Sequence, residues 1–308
     1  MEPLVSAHLL RGSPDPVFAM MNFPLACPKC QAALARIAAD RWRCVQGHEF
    51  PVVQGTPLFT LGAGQSSDGG NAAYFERLYQ SETEPWLYTQ RGAEILKYQF
   101  LLEAVRGLCG GSLEGRTLID VGCSLGGLTN ALAGAGGNVL AVDVSETAVR
   151  KSRDSFEKSE RRGTATFVVG CATSLPCAPK VADVVVLSDG LRSWRLTEVE
   201  RLACLDRVAS VLRCGGSALF LDYMNPRHFP GFIQTVNRTP FHVSRVVYLG
   251  DRLFYNVERV LSRAGLLRRS VFFRFMVGSV GFARLLRAVS NLAGPRGSKH
   301  LCVVVRRV

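Results

Sequence analysis

Between Asp120 and Asp143 the chain runs for 22 residues without a charge, and six of those residues are glycine. A lipid-spanning helix is a poor reading of residues 121–142, because the glycines are joined by Ser124, Thr129, Asn130 and Asn138. The pattern divides instead into a strand (Thr117–Val121), a glycine turn, a short helix near 128–133 and a second strand (Asn138–Asp143). Further apolar runs at 165–169, Ala182–Ser188 and 217–222 alternate with helical periodicity at 146–159 and 197–212. Such alternation predicts an α/β fold with a parallel sheet covered on both faces. A helix at 253–264 and two last strands, near 267–275 and 300–306, are expected to complete it.

The chain has 308 residues, which is room for about two domains. Hydrophobic residues make up 47% and charged residues 20%, which excludes a disordered protein. Residues 1–21 show no periodicity and read as a flexible tail; with Glu2 and three prolines they do not resemble a signal peptide. Residues 22–61 read as a small compact domain, 62–71 as a Gly/Ser-rich linker and 72–308 as the main domain. The expectation is a cytoplasmic protein with no membrane partner. Seven cysteines (Cys109, Cys123, Cys171, Cys177, Cys204, Cys214 and Cys302) lie singly among other residues, as free thiols do in a reducing compartment.

The other three cysteines form a pattern with a histidine: Cys27-Pro-Lys-Cys30, then Cys44-Val-Gln-Gly-His48. Two ligands from one tight turn and two from a second, about fifteen residues on, suit a tetrahedral zinc ion. All four positions are supplied by protein, so the zinc is expected to be structural, contributing folding energy to a segment too short to build a core.

The turn Leu118-Ile-Asp120-Val-Gly122-Cys-Ser124-Leu-Gly126-Gly-Leu-Thr129 has the layout of a nucleotide-cofactor loop, and Asp143 closes the next strand 21 residues after Gly122. A dinucleotide needs a middle glycine so that its pyrophosphate can rest on the helix N-terminus. Here Ser124 stands at that place, and Asp120 would repel a phosphate. S-adenosylmethionine carries no phosphate but has an ammonium and a sulfonium, so it is the favoured cofactor. Asp143 is then a candidate for the ribose hydroxyls, with Val144 beside it. Cys171 and Ala172 become candidates for the adenine, and Ser188 and Asp189 stand at the fourth strand's exit. An amine acceptor needs only deprotonation, whereas a hydroxyl usually needs a general base. Asp189 is the candidate base by motif position; Asp222, Tyr223, His228 and His242 are further ones.

Two resemblances sharpen these expectations. The three cysteines, His48 and the closing Phe50-Pro-Val-Val-Gln-Gly-Thr-Pro-Leu58 resemble the zinc ribbon at the front of bacterial rRNA guanine methyltransferases. That segment is also similar to small zinc proteins that activate tRNA and protein methyltransferases. The second set is Tyr74-Phe-Glu, Tyr79, Glu84-Pro85-Trp86-Leu-Tyr88, Arg91, Glu94 and Lys97-Tyr98, with the loop Gly122-Cys-Ser-Leu-Gly-Gly-Leu-Thr and Val186-Leu-Ser-Asp. It looks like the NodS-type branch of class I S-adenosylmethionine-dependent methyltransferases, whose founding members N-methylate a chitooligosaccharide amine. The resemblance implies a Rossmann-like seven-stranded sheet and a lid over the cofactor, with Trp86 and Tyr88 as stacking candidates. The chain departs from the pattern at Cys171, where many class I enzymes have Asp, and at Glu84, where the branch usually has Asp. A zinc module is not expected in that branch.

The reading of the whole is a methyltransferase acting on an amine or hydroxyl of a small-molecule or glycan acceptor. An rRNA or tRNA base is the alternative, since residues 201–308 carry 18 Lys and Arg against 4 Asp and Glu and could attract RNA. A non-catalytic cofactor-binding zinc scaffold is the third.

Overall fold

The computed structural model describes residues 23–60, 69–158, 160–191 and 196–308. The tail expected at 1–21 lies outside these residues, as does most of the expected linker; the last three linker positions begin a helix instead.

Near the N-terminus, β1 (Leu34–Ala38), β2 (Arg41–Cys44), β3 (Glu49–Val53) and β4 (Thr56–Pro57) form an antiparallel sheet in sequence order. Strand β2 alternates exposed and buried residues, which turns Trp42 inward. Trp42 and Phe50 each meet the fully buried Phe59 edge-on, with ring centroids 6.0 and 5.4 Å away. This sheet does not keep a core to itself: its aromatic residues join one apolar cluster with Val168, Leu175 and Cys177 of the larger body. Leu58 makes a parallel bridge to Val169, and the Phe59 N–H donates to the Val169 carbonyl at 2.8 Å.

Two helices follow, α1 (Gly69–Ser81) and α2 (Gly92–Leu108). The main sheet is then built from β5 (Thr117–Val121), β6 (Asn138–Asp143), β7 (Thr164–Val169), β8 (Ala182–Ser188) and β9 (Leu212–Tyr223). Helices α3 (Gly127–Gly134) and α4 (Glu146–Glu157) connect β5 to β6 and β6 to β7, and α5 (Glu198–Val211) leads from β8 to β9. Nearly every residue of β5, β6 and β8 is buried, as strands covered on both faces require. Helix α4 starts where the Ser145 hydroxyl accepts from the Ala148 N–H, and α5 where Thr197 and Glu200 form a capping box.

The C-terminal third comprises α6 (Phe229–Asn237), β10 (Phe241–Tyr248), α7 (Arg252–Arg263), α8 (Leu266–Arg269), α9 (Val271–Gly278), α10 (Val280–Asn291) and β11 (His300–Arg307). Strand order in the seven-stranded sheet is β10-β11-β9-β8-β5-β6-β7. Strands β5 to β9 pair in parallel, and β11 runs antiparallel to both neighbours. The chain order reverses between β5 and β8, which opens a crevice at their carboxyl ends.

One expectation fails in this region. Residues 267–275 do not form a strand; they are helical, in α8 and α9. Phe273, Met276 and Val277 share the inward side, a spacing of three and four that belongs to a helix and not to a strand. The strand that fills this place is β10. A bulge between Val243 and Arg245 breaks its alternation, and this hides it in the sequence.

Candidate functional site

The crevice at the strand exits is lined by Val121 and Gly122 after β5, by Val142, Asp143 and Val144 at β6, and by Gly170, Cys171, Ala172 and Thr173 after β7. Leu187, Ser188, Asp189, Gly190 and Leu191 line it from β8. Phe75 and Tyr79 of α1 reach it from above together with Tyr88. Of the expected residues, Gly122, Asp143, Val144, Cys171, Ala172, Ser188, Asp189 and Tyr88 therefore face one cavity. Asp120, Ser124, Gly126 and Trp86 do not line it, and each has a definable task beside it.

Gly122 has φ +77, and a Cβ there would meet nothing within 4 Å; the backbone conformation alone calls for glycine. At Gly126 space decides as well as φ. A Cβ at Gly126 would lie 2.1 Å from the Ser152 hydroxyl, so the missing side chain lets the turn pack against α4. Ser124, also at positive φ, donates its N–H to Asp143 Oδ2 at 2.9 Å. Asp143 Oδ1 accepts the Ser145 N–H at the same distance. Burial raises the Asp143 carboxyl above its ordinary range despite these donors.

Asp120 points into the protein and accepts the Thr129 hydroxyl at 2.6 Å. Burial pushes its carboxyl up to about 6. Trp86 donates its indole N–H to the Tyr79 hydroxyl at 3.0 Å, and Tyr79 donates to the Ser124 hydroxyl at 2.6 Å. Trp86 is thus linked through Tyr79 to the glycine turn. Glu76 ties the same helix down: its carboxylate accepts the Ser145 hydroxyl at 2.7 Å and the Thr147 N–H at 3.1 Å.

Asp189 has a different setting. Its Oδ2 accepts from the buried Lys97 Nζ at 2.5 Å, its Oδ1 accepts the Tyr223 N–H at 3.0 Å, and His300 Nε2 stands 3.3 Å from Oδ1. Lys97 also pairs with Glu94 at 2.6 Å, and His300 Nδ1 pairs with Asp251. Burial opposes charge on Asp189, but Lys97 and then His300 outweigh it and hold the carboxyl far below its usual range. His300 is likewise buried, yet Asp251 and Asp189 hold its imidazolium up to about 10. Tyr88 covers Lys97, with the ammonium 5.2 Å from its ring centroid.

Sequence reasoning missed His300 and Asp251 altogether. The one signal was a histidine opening the apolar run Leu301-Cys-Val-Val-Val, an environment that needs a partner for it. Of the other candidate bases, Tyr223 stands beside this cluster, its ring centroid 5.2 Å from that of His300; Asp222 accepts the Leu191 N–H at 3.1 Å, His228 accepts from Arg227 Nε at 3.1 Å, and His242 is exposed on the edge strand β10.

At the N-terminus, ligand atoms of Cys27, Cys30, Cys44 and His48 all lie within 4.8 Å of one another. Three of the six edges between them are 3.6 Å (Cys27–His48 Nδ1), 3.6 Å (Cys30–Cys44) and 3.4 Å (Cys44–His48 Nδ1). A tetrahedron with bonds of about 2.3 Å to sulfur and about 2.0 Å to nitrogen has edges of about this length. The group fits a metal ion. Among the described residues, no helix is long and apolar enough to cross a membrane.

A family profile described as a methyltransferase domain matches residues 118–216, the stretch from β5 into β9. A cypemycin N-terminal methyltransferase from Streptomyces sp. is 34% identical over 161 residues, covering 52% of this chain and 60% of that protein. The ubiquinone/menaquinone biosynthesis C-methyltransferase UbiE of Citrobacter koseri is 30% identical over 121 residues, covering 38% of this chain and 47% of that one. The chain thus spans about half the length of these curated relatives. Among solved structures, magnesium protoporphyrin IX methyltransferase from Synechocystis PCC 6803 superposes with a TM-score of 0.52 at 17% identity, over 80% of this chain and 100% of that one. The N-methyltransferase NodS from Bradyrhizobium japonicum WM9 gives 0.51 at 13% identity, over 77% and 97%. At these identities the structures speak for the fold, which is the same seven-stranded architecture. Sheet order and profile agree: residues 118–216 match a methyltransferase domain, set in the fold these two structures share.

Proposed function

We propose that the protein transfers the methyl group of S-adenosylmethionine to an amine of a small-molecule, glycan or peptide acceptor, with a hydroxyl as the less favoured acceptor. The observation that carries this reading is Asp143, fixed at the exit of β6 by two backbone N–H groups and facing the cavity beside the open side of Gly122. A carboxylate there suits a ribose diol. The Cys171–Ala172 turn and Val144 are assigned to the adenine, while Ser188 and Asp189 flank the reacting end. Asp120 and Ser124 act one step back, shaping the turn, and Tyr79 with Trp86 closes it. The cofactor supplies an activated methyl on a sulfonium; this chain's residues align the acceptor with it and exclude water.

Asp189 is poorly suited to accept a proton, since Lys97 and His300 keep it ionised. Its assigned role is to orient a donor group of the acceptor. That requirement fits an amine better than a hydroxyl, and the relative named as an N-terminal methyltransferase is compatible with it. Calorimetric titration with S-adenosylmethionine and S-adenosylhomocysteine tests the assignment: saturable heat with either ligand is expected, and none with both would remove it.

Zinc is the metal assigned to Cys27, Cys30, Cys44 and His48, in a structural site with no open position. Elemental analysis should find one zinc per chain, and Cys44→Ser should release it. Because Phe59 and Leu58 brace Val169 next to the Cys171 turn, the same change should also weaken cofactor binding. Retention of a full equivalent of metal in that variant would refute the ligand set.

A further inference from the structure

Helices α7 to α10 cover Glu94 and Ala93 of α2 with their inner side: Phe254, Tyr255, Val277 and Ala283 are buried there. Their outer side is also apolar. Phe272 and Phe275 are 67% and 76% exposed, and Val271, Leu285, Val289 and Leu292 are exposed as well. Positions 271, 272 and 275 fall on one side of α9, and 285, 289 and 292 follow one stripe along and just beyond α10. Large apolar groups so grouped on adjoining helices mark an interaction surface.

The charge of this region names the partner. Residues 252–299 hold ten Lys and Arg against a single acid, Glu258, which is engaged by Arg91 at 2.6 Å. Arg268, Arg269, Arg274 and Arg284 are exposed among the apolar groups. A second copy docking through this face would set like charges against each other. RNA would use the arginines and could stack on the phenylalanines, but it gives no reason for Val271, Leu285, Val289 and Leu292. We infer that the outer side of α8–α10 rests on an anionic lipid surface, its phenylalanine and aliphatic side chains inserted and its arginines among the headgroups. The helices are too short to span a bilayer, and helices that present exposed Phe and aliphatic side chains flanked by Arg on their outer side lie in the interface. The sequence alone suggests no membrane partner; the exposure of Phe272 and Phe275, invisible to it, is what argues for one. The inference does not depend on the methyl-transfer reading.

The test is sedimentation of the full chain with phosphatidylglycerol-rich vesicles and with pure phosphatidylcholine vesicles. Binding is expected to the former and to weaken with salt. The double substitution F272S/F275S should reduce it by roughly tenfold or more, and R268E/R269E by about fivefold or more per arginine. Both pairs are exposed, so melting temperature and homocysteine-nucleoside binding should be unchanged and serve as folding controls. Equal, weak sedimentation with both vesicles overturns the proposal. Binding to bulk RNA that F272S/F275S leaves intact, without vesicle binding, assigns the arginines to RNA instead. A dimer in sedimentation velocity that F272S/F275S dissolves assigns the face to a second copy.

Discussion

Asp143 and Asp189 stand at strand exits on opposite sides of the crevice, and both are largely buried, yet they are held in opposite ways. Asp143 takes backbone N–H groups from Ser124 and Ser145, and burial raises its carboxyl. Asp189 is clamped between Lys97 and His300, and their charges drive its carboxyl down. The β6 wall is therefore preorganised by backbone dipoles that leave lone pairs facing the cavity. The β8 wall is preorganised by a chain of alternating charge, from Glu94 through Lys97, Asp189 and His300 to Asp251. Backbone donors set a shape; the charge chain also ties α2, β8, β11 and the start of α7 into one unit. The first arrangement suits recognition of a neutral diol, and the second suits holding elements together around a reacting group.

If that contrast is right, the largest effect comes from cutting the chain of charges in the middle. His300→Ala leaves the Asp189 and Asp251 carboxylates without the cation between them and should cost about 3–5 kcal/mol of folding stability. Urea unfolding measures it, and a loss under about 1 kcal/mol would show that the clamp matters little. The same clamp has a pH signature. A histidine raised from 6.5 to about 10 in the folded chain contributes stability in full below 6.5 and loses it as pH rises through about 10. Asp189, being depressed, contributes above its ordinary pKa of 3.8 and loses that only in stronger acid, as pH falls through its folded value. Stability should thus begin to fall as pH rises past 6.5 and go on falling to about 10, and that fall should be shallower in His300→Gln. A matching alkaline profile in both proteins would break the assignment.

On the opposite wall the expected loss is in binding. Asp143→Ala should weaken S-adenosylmethionine by about 1–3 kcal/mol, the cost of unpaired ribose hydroxyls, with calorimetry as the readout. An affinity unchanged by the substitution would remove Asp143 from the site and leave the two walls without their proposed division of labour.

The same division explains what could be read before the fold was known. Gly122, Asp143, Cys171, Ser188 and Asp189 lie at strand ends within a stretch where the alternation of apolar runs is regular, so their meeting follows from the order of the strands. Lys97, His300 and Asp251 come from separations of 92 and 49 residues, and no local pattern joins them. Helix α9 is hard to tell from a strand in sequence, because a short apolar run such as Val271-Phe-Phe-Arg-Phe fits either element. The zinc ligands were legible for the opposite reason: both pairs sit in turns that bring them together locally. What the ligand spacing did not reveal was that Phe59 would be buried under the main sheet's own core.

The smallest expected effect sharpens how the lid belongs to the β6 wall. Tyr79 donates to Ser124 and accepts from Trp86, so a single hydroxyl links the lid helix, the segment after it and the glycine turn. Tyr79→Phe keeps the ring in its buried place and removes only that oxygen. It strands the Trp86 indole N–H, which is partly exposed and can turn to water, so the cost should be about 0.5–1.5 kcal/mol. The loss should appear mainly as faster release of the cofactor in stopped-flow exchange, because the same turn positions Asp143 through the Ser124 N–H. If release is unchanged while folding stability drops, the Tyr79 hydroxyl braces α1 alone, and the lid and the ribose wall are mechanically separate.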